Sequence, residues 1–545
     1  MKQPKNPILL LVLACVAIFF VNLNVWHVNI MEARNFISAR EMLTDGNWLL
    51  PTLNGQPRYQ KPPFPTWLTA ISGAIFGIKS LAAMRLPAAI MALLLVLTTY
   101  KFTFRFVQNK SYALTAALVL ASSFLVIFSG RSGQWDIFAY TFMTLAIYQL
   151  YLFFTEKDKH IKYVILASVF IGLSGMSKGP VAIYALLIPF LISYGIVFKF
   201  GGLSKRWMGS LFIAILGGIL ASSWYVYACS NDPETFLTIT QRETFNWTHK
   251  NIRPFYHYWS FFLQSGIWAL TALIGLLYPY LKNKVINKKV YSFTLLWTII
   301  AVLFLSIIPE KKSRYILPVM IPLALNTSFY LVYLFKNFKS IKDFRERLPV
   351  YFNFGLIGFI GLAFPIAGYF YLKDSLIGHW FWFALLSICL FGIGVFILRK
   401  LAQKNIQTVF YGSIGMICAI MVFGMPLSKL VIANPAYKPL SEISVWQSNT
   451  KRNVYEYAVI SVEMVWDYGE KISVIKRDEA ITIPKGSSFG VLVSKEQQAS
   501  FLETFKDFSI EKIMRYDMNS AAVGTKSHRT RLWRDLYLVR RITPE

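Results

Sequence analysis

Charged residues are scarce in this chain, and their scarcity narrows the class of protein. Only 15% of its 545 residues are charged, whereas soluble domains carry about 25%. Hydrophobic residues make up 55% of the chain and aromatic residues 16%. Together with a mean hydropathy of +0.47, this composition excludes an ordinary soluble protein and indicates a polytopic membrane protein.

Acidic residues are the scarcest charged class. The chain has 27 Asp and Glu against 56 Lys and Arg, which gives a formal net charge of +29. A soluble protein with this balance would be a candidate for nucleic-acid binding, but no separate basic domain stands apart from the apolar segments. The positive charge is better explained by basic loops that set membrane orientation, so we expect a bilayer and no nucleic acid as partner.

Cysteine is also rare, with four residues in the chain. Cys15, Cys389 and Cys418 lie inside apolar runs, and Cys229 lies near the end of one. Because no Cys-x-x-Cys or Cys/His spacing is present, the sequence predicts neither a disulfide framework nor a structural zinc site.

Long apolar segments dominate the first 430 residues. A membrane-spanning helix needs about 20 mostly apolar residues. The segments that meet this length are 7–28, 82–107, 111–130, 136–155, 162–177, 179–198, 207–229, 257–281, 290–309, 315–335, 350–373, 379–398 and 407–429. The first resembles a signal peptide, but it is long enough to span and lacks a small-residue cleavage site, so we interpret it as a retained helix with a cytoplasmic N-terminus.

The loops that connect these segments, here called joints, alternate between strongly basic and less basic. The most basic joints fall on the side of the N-terminus, which predicts that this side is cytoplasmic. The outer joints are then 30–81, 131–135, 178, 230–256, 310–314 and 374–378, and an odd number of spans places the C-terminus outside. Residues 434–545 have a mixed composition that predicts a small α/β domain on the outer side, with strand-like stretches at 454–463, 490–494 and 536–541 and helical stretches at 495–505 and 507–514.

The first outer joint, 30–81, is the longest and concentrates acids, bases and aromatics at the membrane surface. Lysines and arginines recur in the other outer joints, although positive charge there opposes the topological bias. Converging cations of this kind suit a phosphate group. The candidates for substrate binding are Arg34, Arg58, Lys61, Lys178, Arg253, Lys311, Arg314 and, beside the last, Tyr315.

Carboxylates able to act at this face are few. They are Glu32, Glu41, Asp45, Asp136, Asp232, Glu234, Glu243 and Glu310. Glu32 and Asp136 are the candidate catalytic acids, although each opens a helix and therefore also suits the helix dipole. His249 and His257, eight positions apart in a loop, are candidates to bind a divalent metal with a nearby carboxylate, but two histidines at this spacing do not define a metal site.

Several stretches together resemble the ArnT-like lipid-sugar transferases, which are glycosyltransferases of the GT-C fold related to protein O-mannosyltransferases. The first outer joint carries E-A-R-x-x-x-x-A-R-E-M-L from Glu32, then G-N-W-L-L-P-T-L-N-G from Gly46, then K-P-P from Lys61. Further matching pieces follow in the same order: Arg85-Leu-Pro, Trp135-Asp136, Met176-Ser-Lys-Gly179, Arg253-Pro-Phe-Tyr256 and Arg314-Tyr-Ile-Leu-Pro318.

The resemblance implies a polytopic α-helical GT-C membrane protein with about 13 spans, a transmembrane catalytic domain over residues 1–430 and a periplasmic α/β domain over 434–545. It also implies an inverting glycosyltransferase of the bacterial inner membrane. The donor would be a polyprenyl (undecaprenyl) phosphate sugar and the acceptor lipid A or another envelope glycoconjugate. Lys61 and Tyr315 match residues near the lipid phosphate in the family, and Glu32 and Asp136 match family acids.

Two positions depart from the family pattern. Met31 stands where the family has an aspartate, and Gln60 stands where it has an acid before the Lys-Pro pair. Two other functions remain open at this point: a transporter or flippase of lipid-linked sugars, and an O-antigen polymerase or ligase. A transporter would place charges near the middle of the membrane and carry internal repeats, whereas this sequence has few ionisable residues in the centres of its spans and no visible repeat.

Overall fold

The chain folds into a large helical part followed by a small domain built around a sheet. A computed structural model describes residues 5–156, 158, 160–200, 206–431, 434–477 and 480–542. The α-helices of the larger part are α1 Pro7–Cys15, α2 Ile30–Asp45, α3 Phe64–Phe76, α4 Leu81–Val107, α5 Lys110–Ala121, α6 Phe124–Gly130, α7 Trp135–Thr155, α8 His160–Lys178, α9 Ile188–Phe198, α10 Trp207–Asn231, α11 Pro233–His249, α12 Ala269–Gly275, α13 Tyr278–Leu281, α14 Lys288–Ile307, α15 Met320–Asn337, α16 Phe344–Leu372, α17 Trp380–Ala402 and α18 Ile406–Ala419.

The number of membrane-spanning helices differs from the sequence-based expectation. Within the described residues, nine helices are long and apolar enough to cross a membrane, or ten if α5 and α6, which are bent by 66° at their junction, form one span. The expected count of 13 is therefore not confirmed. Two of the remaining segments are shorter apolar helices, Pro7–Phe20 and Ile183–Phe198. The segment expected at 257–281 breaks into short helices, with Gly266 at a φ of 66°.

Close packing between long helices depends on small residues. α8 and α10 meet at Gly175, where an added Cβ would lie 2.4 Å from the Cβ of Ala221. α16 and α17 meet at Gly361 and Gly394 in the same way. Small residues let helix backbones approach closely where the surrounding lipid provides no hydrophobic driving force.

The first outer joint begins with α2, whose start is fixed by a capping box. The Asn29 side chain accepts hydrogen bonds from the amides of Met31 and Glu32, and the Glu32 carboxylate accepts one in return from the Asn29 amide. Such reciprocal caps satisfy amides that the first helical turn leaves free. α2 ends at Gly46, which has the left-handed conformation that favours glycine. A short hairpin follows, β1 Thr52–Leu53 and β2 Gln56–Pro57.

The C-terminal domain contains a four-stranded sheet. Its helices are α19 Ile443–Thr450, α20 Val462–Tyr468 and α21 Gln498–Thr504, and its strands are β3 Val454–Glu456, β4 Lys476–Arg477, β5 Ala480–Ile481, β6 Ser488–Val493, β7 Phe508–Asp517 and β8 Trp533–Arg541. The strand order is β3-β6-β8-β7. β3 is parallel to β6, and the other neighbours are antiparallel.

Two local expectations are wrong. Residues 507–514 were expected to be helical, but 508–514 belong to strand β7. A bulge between Lys512 and Met514 shifts the phase of its apolar residues, which produces a helix-like spacing at Ile510, Ile513 and Met514. The joint 230–256 was treated as a loop, but its first part is helix α11, which contains no buried residue.

The C-terminal domain packs directly on α2. The guanidinium group of Arg40 donates hydrogen bonds to the carbonyls of Val465, at 3.2 Å, and Glu470, at 3.1 Å. The Asn54 side chain donates to the carbonyl of Ile472 at 2.9 Å. The first joint and the C-terminal domain therefore form one polar layer at the same end of the helices.

Candidate active site

A basic chamber of about 390 Å³ lies where α2, the segment after β2, α11 and residues 310–315 meet. Its charged lining residues are Arg34, Arg58, Lys61, Arg242, Glu243, Lys250, Glu310, Lys312 and Arg314. Seven of these are cations and two are carboxylates. The structure thus brings together four of the sequence-predicted cations, and Tyr315 lines the same chamber. A cavity with this charge balance favours an anionic ligand.

Lys61 is the most exceptional of these cations. It forms no hydrogen bond or ion pair with any other residue that the structure describes. Burial, assisted by the nearby charge of Lys178, lowers the pKa of Lys61 to about 8, although Glu243 and Asp136 act in the opposite direction. An unpaired ammonium group in such a position is stabilised when an anion binds beside it.

Arg58 is a second buried cation without a carboxylate partner among the described residues. Its guanidinium carbon lies 4.6 Å from the centre of the Trp135 ring, and burial lowers the pKa of Arg58 to about 9. The buried Nε1 of Trp135 and the buried Nε of Arg314 also have no hydrogen-bond partner within the described part of the chain. Buried donors are normally paired, and of these residues Arg58 and Arg314 line the chamber, where a ligand could supply the missing acceptor.

Asp136 and Lys178 form a buried ion pair beside Lys61. Asp136 opens α7 and Lys178 closes α8, and their side chains are hydrogen-bonded. The Lys178 ammonium group also lies 4.8 Å from the centre of the Tyr315 ring. The Asp136 carboxylate is therefore already bonded to a cation.

Glu310 is paired in a similar way. Its carboxylate accepts a hydrogen bond from Lys312, and the Tyr315 hydroxyl lies 3.5 Å from its second oxygen. Lys312 also lies within hydrogen-bond distance of Tyr315. Glu310, Lys312 and Tyr315 therefore form a triad, which fixes the position of the Tyr315 ring at the edge of the chamber.

An apolar groove of about 260 Å³ adjoins the chamber. It shares Lys61, Trp247, Glu310 and Tyr315 with the chamber. Its remaining lining residues are mainly apolar: Lys178, Pro180, Val181, Tyr184, Leu305 and Ile308. A ligand with a phosphate head and a hydrocarbon tail would match the two adjoining environments.

The position of Glu32 argues against its expected role as a catalytic acid or base. Its carboxylate is buried and paired with Arg85 through contacts of 2.7 and 3.1 Å. The same carboxylate accepts hydrogen bonds from Asn29 and from the amide of Gly133. With its acceptor sites filled, Glu32 has no free position for a substrate hydroxyl, and it borders a different cavity, beside Trp26 and His27.

Two predicted phosphate ligands, Lys311 and Arg253, line neither the chamber nor the adjoining groove. The Lys311 ammonium group donates to the carbonyls of Ile308, at 2.6 Å, and Arg253, at 3.2 Å, so it ties backbone segments together. The Arg253 side chain is exposed and does not line the chamber. The adjacent Lys312 takes the place expected of Lys311 because the chain is extended there, and neighbouring side chains in an extended chain point in opposite directions.

The two predicted metal ligands do not meet. The His249 ring stacks on Phe245 at 3.9 Å, and its Nδ1 lies 3.0 Å from the Phe245 carbonyl. His257 packs against Tyr258. In the part of the chain that the structure describes, no three His, Cys, Asp or Glu residues are grouped as metal ligands. These residues do not fit a divalent metal site.

Comparisons with known proteins agree with this architecture. The sequence profile of the family described as dolichyl-phosphate-mannose-protein mannosyltransferase matches residues 60–227. The crystal structure of ArnT from Cupriavidus metallidurans bound to undecaprenyl phosphate superposes with a TM-score of 0.68 over 97% of both chains, at 15% sequence identity. The chain has the ArnT-like GT-C fold. This ArnT-like fold extends over the membrane part and the C-terminal domain alike.

Relatives of known sequence match only part of this chain. An uncharacterized protein of Aquifex aeolicus is 28% identical over 350 residues, which cover 62% of this chain and 65% of the relative. The undecaprenyl phosphate-alpha-4-amino-4-deoxy-L-arabinose arabinosyl transferase 2 of Proteus mirabilis is 27% identical over 341 residues, 62% of this chain and 60% of the relative. The chain therefore aligns with less than two thirds of the length of either relative.

Several residues that line the chamber were not among the predicted site residues, although Glu243 was one of the carboxylates expected at this face. Arg242, Glu243, Asn246, Trp247 and Lys250 lie on one face of α11 and line the chamber together. Their spacing of three or four positions is that of a helix face. This regular spacing could have predicted a helix with one face lining a site, but the joint was treated as a loop and its spacing was not considered.

Proposed function

We propose that this protein transfers a sugar from a polyprenyl phosphate to an acceptor at the outer face of the bacterial inner membrane. The proposal rests on one observation: a cation-rich chamber adjoins an apolar groove, and Lys61 and Tyr315 line both. A polyprenyl phosphate has both chemistries in one molecule. Its phosphate would occupy the chamber and the first isoprene units the groove.

The leaving group explains why cations crowd this position. In a single displacement with inversion, the acceptor oxygen attacks the anomeric carbon while the bond from that carbon to the phosphate oxygen breaks. Negative charge then grows on the polyprenyl phosphate, where Lys61, Arg58 and Arg314 stabilise it. Fixed charges directed at the site where charge develops are a major source of catalysis.

The buried ion pairs have supporting roles in this scheme. Asp136 holds Lys178 beside Lys61 and Tyr315, which keeps the phosphate end of the groove positive. Glu32 holds Arg85 and caps α2, so that Arg34 and Met31 face the chamber. Glu32 is thus proposed as a positioning residue, in place of the catalytic role expected from the sequence.

The orientation and the acceptor are part of the same proposal. The chamber gathers side chains from joints 30–81, 230–256 and 310–314, which were predicted to lie outside, with a cytoplasmic N-terminus and a periplasmic C-terminal domain. The printed name of the Proteus mirabilis relative supports an undecaprenyl phosphate-linked sugar as donor, and lipid A or another envelope glycoconjugate is the acceptor that we propose. A transporter is less well supported, because the charged lining residues of the chamber lie at one end of the helices.

Mass spectrometry of lipid A and envelope glycans tests the proposal. A strain lacking the gene should lose a sugar from one envelope component, and the wild-type gene should restore it. Lys61→Met should fail to restore it. Lys79→Met is the matched control, because Lys79 is exposed on the same outer joint and should restore the sugar fully. An unchanged set of envelope glycans in the deletion strain would contradict the proposed activity.

A further inference from the structure

Glu243 differs from the other carboxylates around the chamber because no cation among the described residues is bonded to it. Asp136 is bonded to Lys178, Glu310 to Lys312 and Glu32 to Arg85. Glu243 forms neither a hydrogen bond nor an ion pair with the residues that the structure describes. Carboxylates bonded to cations are poor proton acceptors, since the cation stabilises the charged form.

The position of Glu243 places its charge inside the chamber. It lies on the face of α11 that includes Asn246, Trp247 and Lys250. Its charge acts on Lys61, Arg58 and Arg34, raising the pKa of each against the lowering caused by burial. Three cations from two different segments therefore lie around this carboxylate, within electrostatic range but without direct bonds.

A free carboxylate is out of place in a chamber that binds only phosphate, because its charge opposes every anionic ligand. It becomes useful if one reactant must lose a proton. A phosphate acceptor is already ionised at neutral pH, whereas a hydroxyl acceptor gains from a base that removes its proton during attack. The free carboxylate therefore distinguishes between the two classes of acceptor.

We propose that Glu243 is the general base of the transfer and that the attacking group of the acceptor is a hydroxyl. This inference rests on the proposed function. The acceptor O–H bond breaks as its oxygen bonds to the anomeric carbon, and the proton passes to the Glu243 carboxylate. The bond between the anomeric carbon and the phosphate oxygen breaks with its electron pair, which leaves on the polyprenyl phosphate beside Lys61.

Two features of this sequence agree with the assignment. Met31 and Gln60 line the same chamber as Glu243, and neither offers a carboxylate. The Glu243 carboxylate, on α11, lines that same space. Because α11 contains no buried residue, substitutions of Glu243 leave the packing of the fold intact.

The test uses membranes of the deletion strain, which supply the native donor and acceptor, together with purified full-length protein. The purified protein should transfer to its acceptor the sugar that the deletion strain lacks. Mass spectrometry measures the initial rate of this transfer across a range of pH. Glu243→Gln and Glu243→Ala should reduce this rate by about 100-fold or more, the range expected for loss of a general base. Glu234→Gln, in the first turn of the same helix and outside the chamber, should match the wild type.

Chemical rescue separates a base from a residue that only shapes the chamber. Added formate should restore part of the rate to Glu243→Ala, and any fall in rate that the wild type shows toward acidic pH should be absent from Glu243→Gln. A wild-type rate in Glu243→Gln, or a slow Glu243→Ala that formate does not rescue, would overturn the assignment. Absence of transfer by the wild-type protein would instead overturn the proposed function itself.

Discussion

At the scale of single residues, Lys61 is a cation that the chamber and the apolar groove share. It lies where burial makes a positive charge costly, and no carboxylate of the described residues is bonded to it. A lysine in this state is poised to accept an anion, whereas the neighbouring Lys178 and Lys312 are already paired. The family motif identified Lys61 from the sequence, because the Lys-Pro-Pro stretch is local and needs no tertiary information.

The lowered pKa of Lys61 leads to a pH-dependent affinity. Below its pKa of about 8 the lysine is charged and attracts the phosphate, and above this value it becomes neutral. Affinity for undecaprenyl phosphate should therefore fall as the pH rises through this region, although a bound phosphate raises the pKa and moves the fall to higher pH. Titrations of purified protein at several pH values measure this effect.

Lys61→Arg is the control for that titration. Arginine keeps its charge at higher pH than lysine, so the variant should show a shallower fall in affinity than the wild type. Identical pH profiles for the two proteins would show that Lys61 is not the group responsible.

The buried pair of Glu32 and Arg85 is important for stability. Their closest contact is 2.7 Å, and both side chains are 1% exposed. Removing one member of a buried pair costs about 3–5 kcal/mol, because the other charge is left unpaired. Arg85→Met should therefore lower the unfolding temperature markedly, and adding Glu32→Gln should recover part of the loss.

The matched control for this pair is Arg105→Met. Arg105 pairs with Glu156 at 3.5 Å on the surface, with 52% and 39% of the side chains exposed, and exposed pairs contribute about 0–1 kcal/mol. Thermal unfolding followed by tryptophan fluorescence compares the variants. Equal losses in Arg85→Met and Arg105→Met would contradict the structural role of the buried pair.

At the scale of elements, sequence patterns identified most of the helices and failed where the chain departs from regular geometry. The apolar length of 82–107 and 136–155 was sufficient to predict α4 and α7. The bulge in β7 gave the apolar residues of this strand a helix-like spacing, so the segment was predicted to be a helix. α11 was not predicted because the sequence of 230–256 is polar and lacks a long apolar run. The role of its polar residues, including Glu243, depends on the packing of the helix beside the chamber, and such packing is a tertiary property.

The contact between α8 and α10 offers a test of the helix packing. Gly175→Val should destabilise the protein by about 1–3 kcal/mol, as overpacking does elsewhere, because even a Cβ at this position meets Ala221 at 2.4 Å. Gly218→Val on α10 is the control, since a Cβ there meets nothing within 4 Å. Similar unfolding temperatures for the two variants would contradict the close approach of these helices.

At the scale of the whole molecule, the chamber exists because distant parts of the chain converge. Arg34 comes from α2, Glu243 from α11 and Arg314 from the segment before α15, and Val462 of the C-terminal domain completes the wall. Sequence alone predicted that these joints share one side of the membrane. It did not reveal which side chains face one another, and for this reason Lys311 and Arg253 were expected in the chamber and Lys312 was not.

Binding of undecaprenyl phosphate to the purified protein in lipid nanodiscs tests the central claim most directly. The chamber and groove predict saturable binding to the wild type and to Lys79→Met. Lys61→Met should bind at least about tenfold more weakly, which corresponds to about 1.4 kcal/mol. Equal affinity for Lys61→Met and Lys79→Met, or no saturable binding to the wild type, would contradict a polyprenyl-phosphate site at this position.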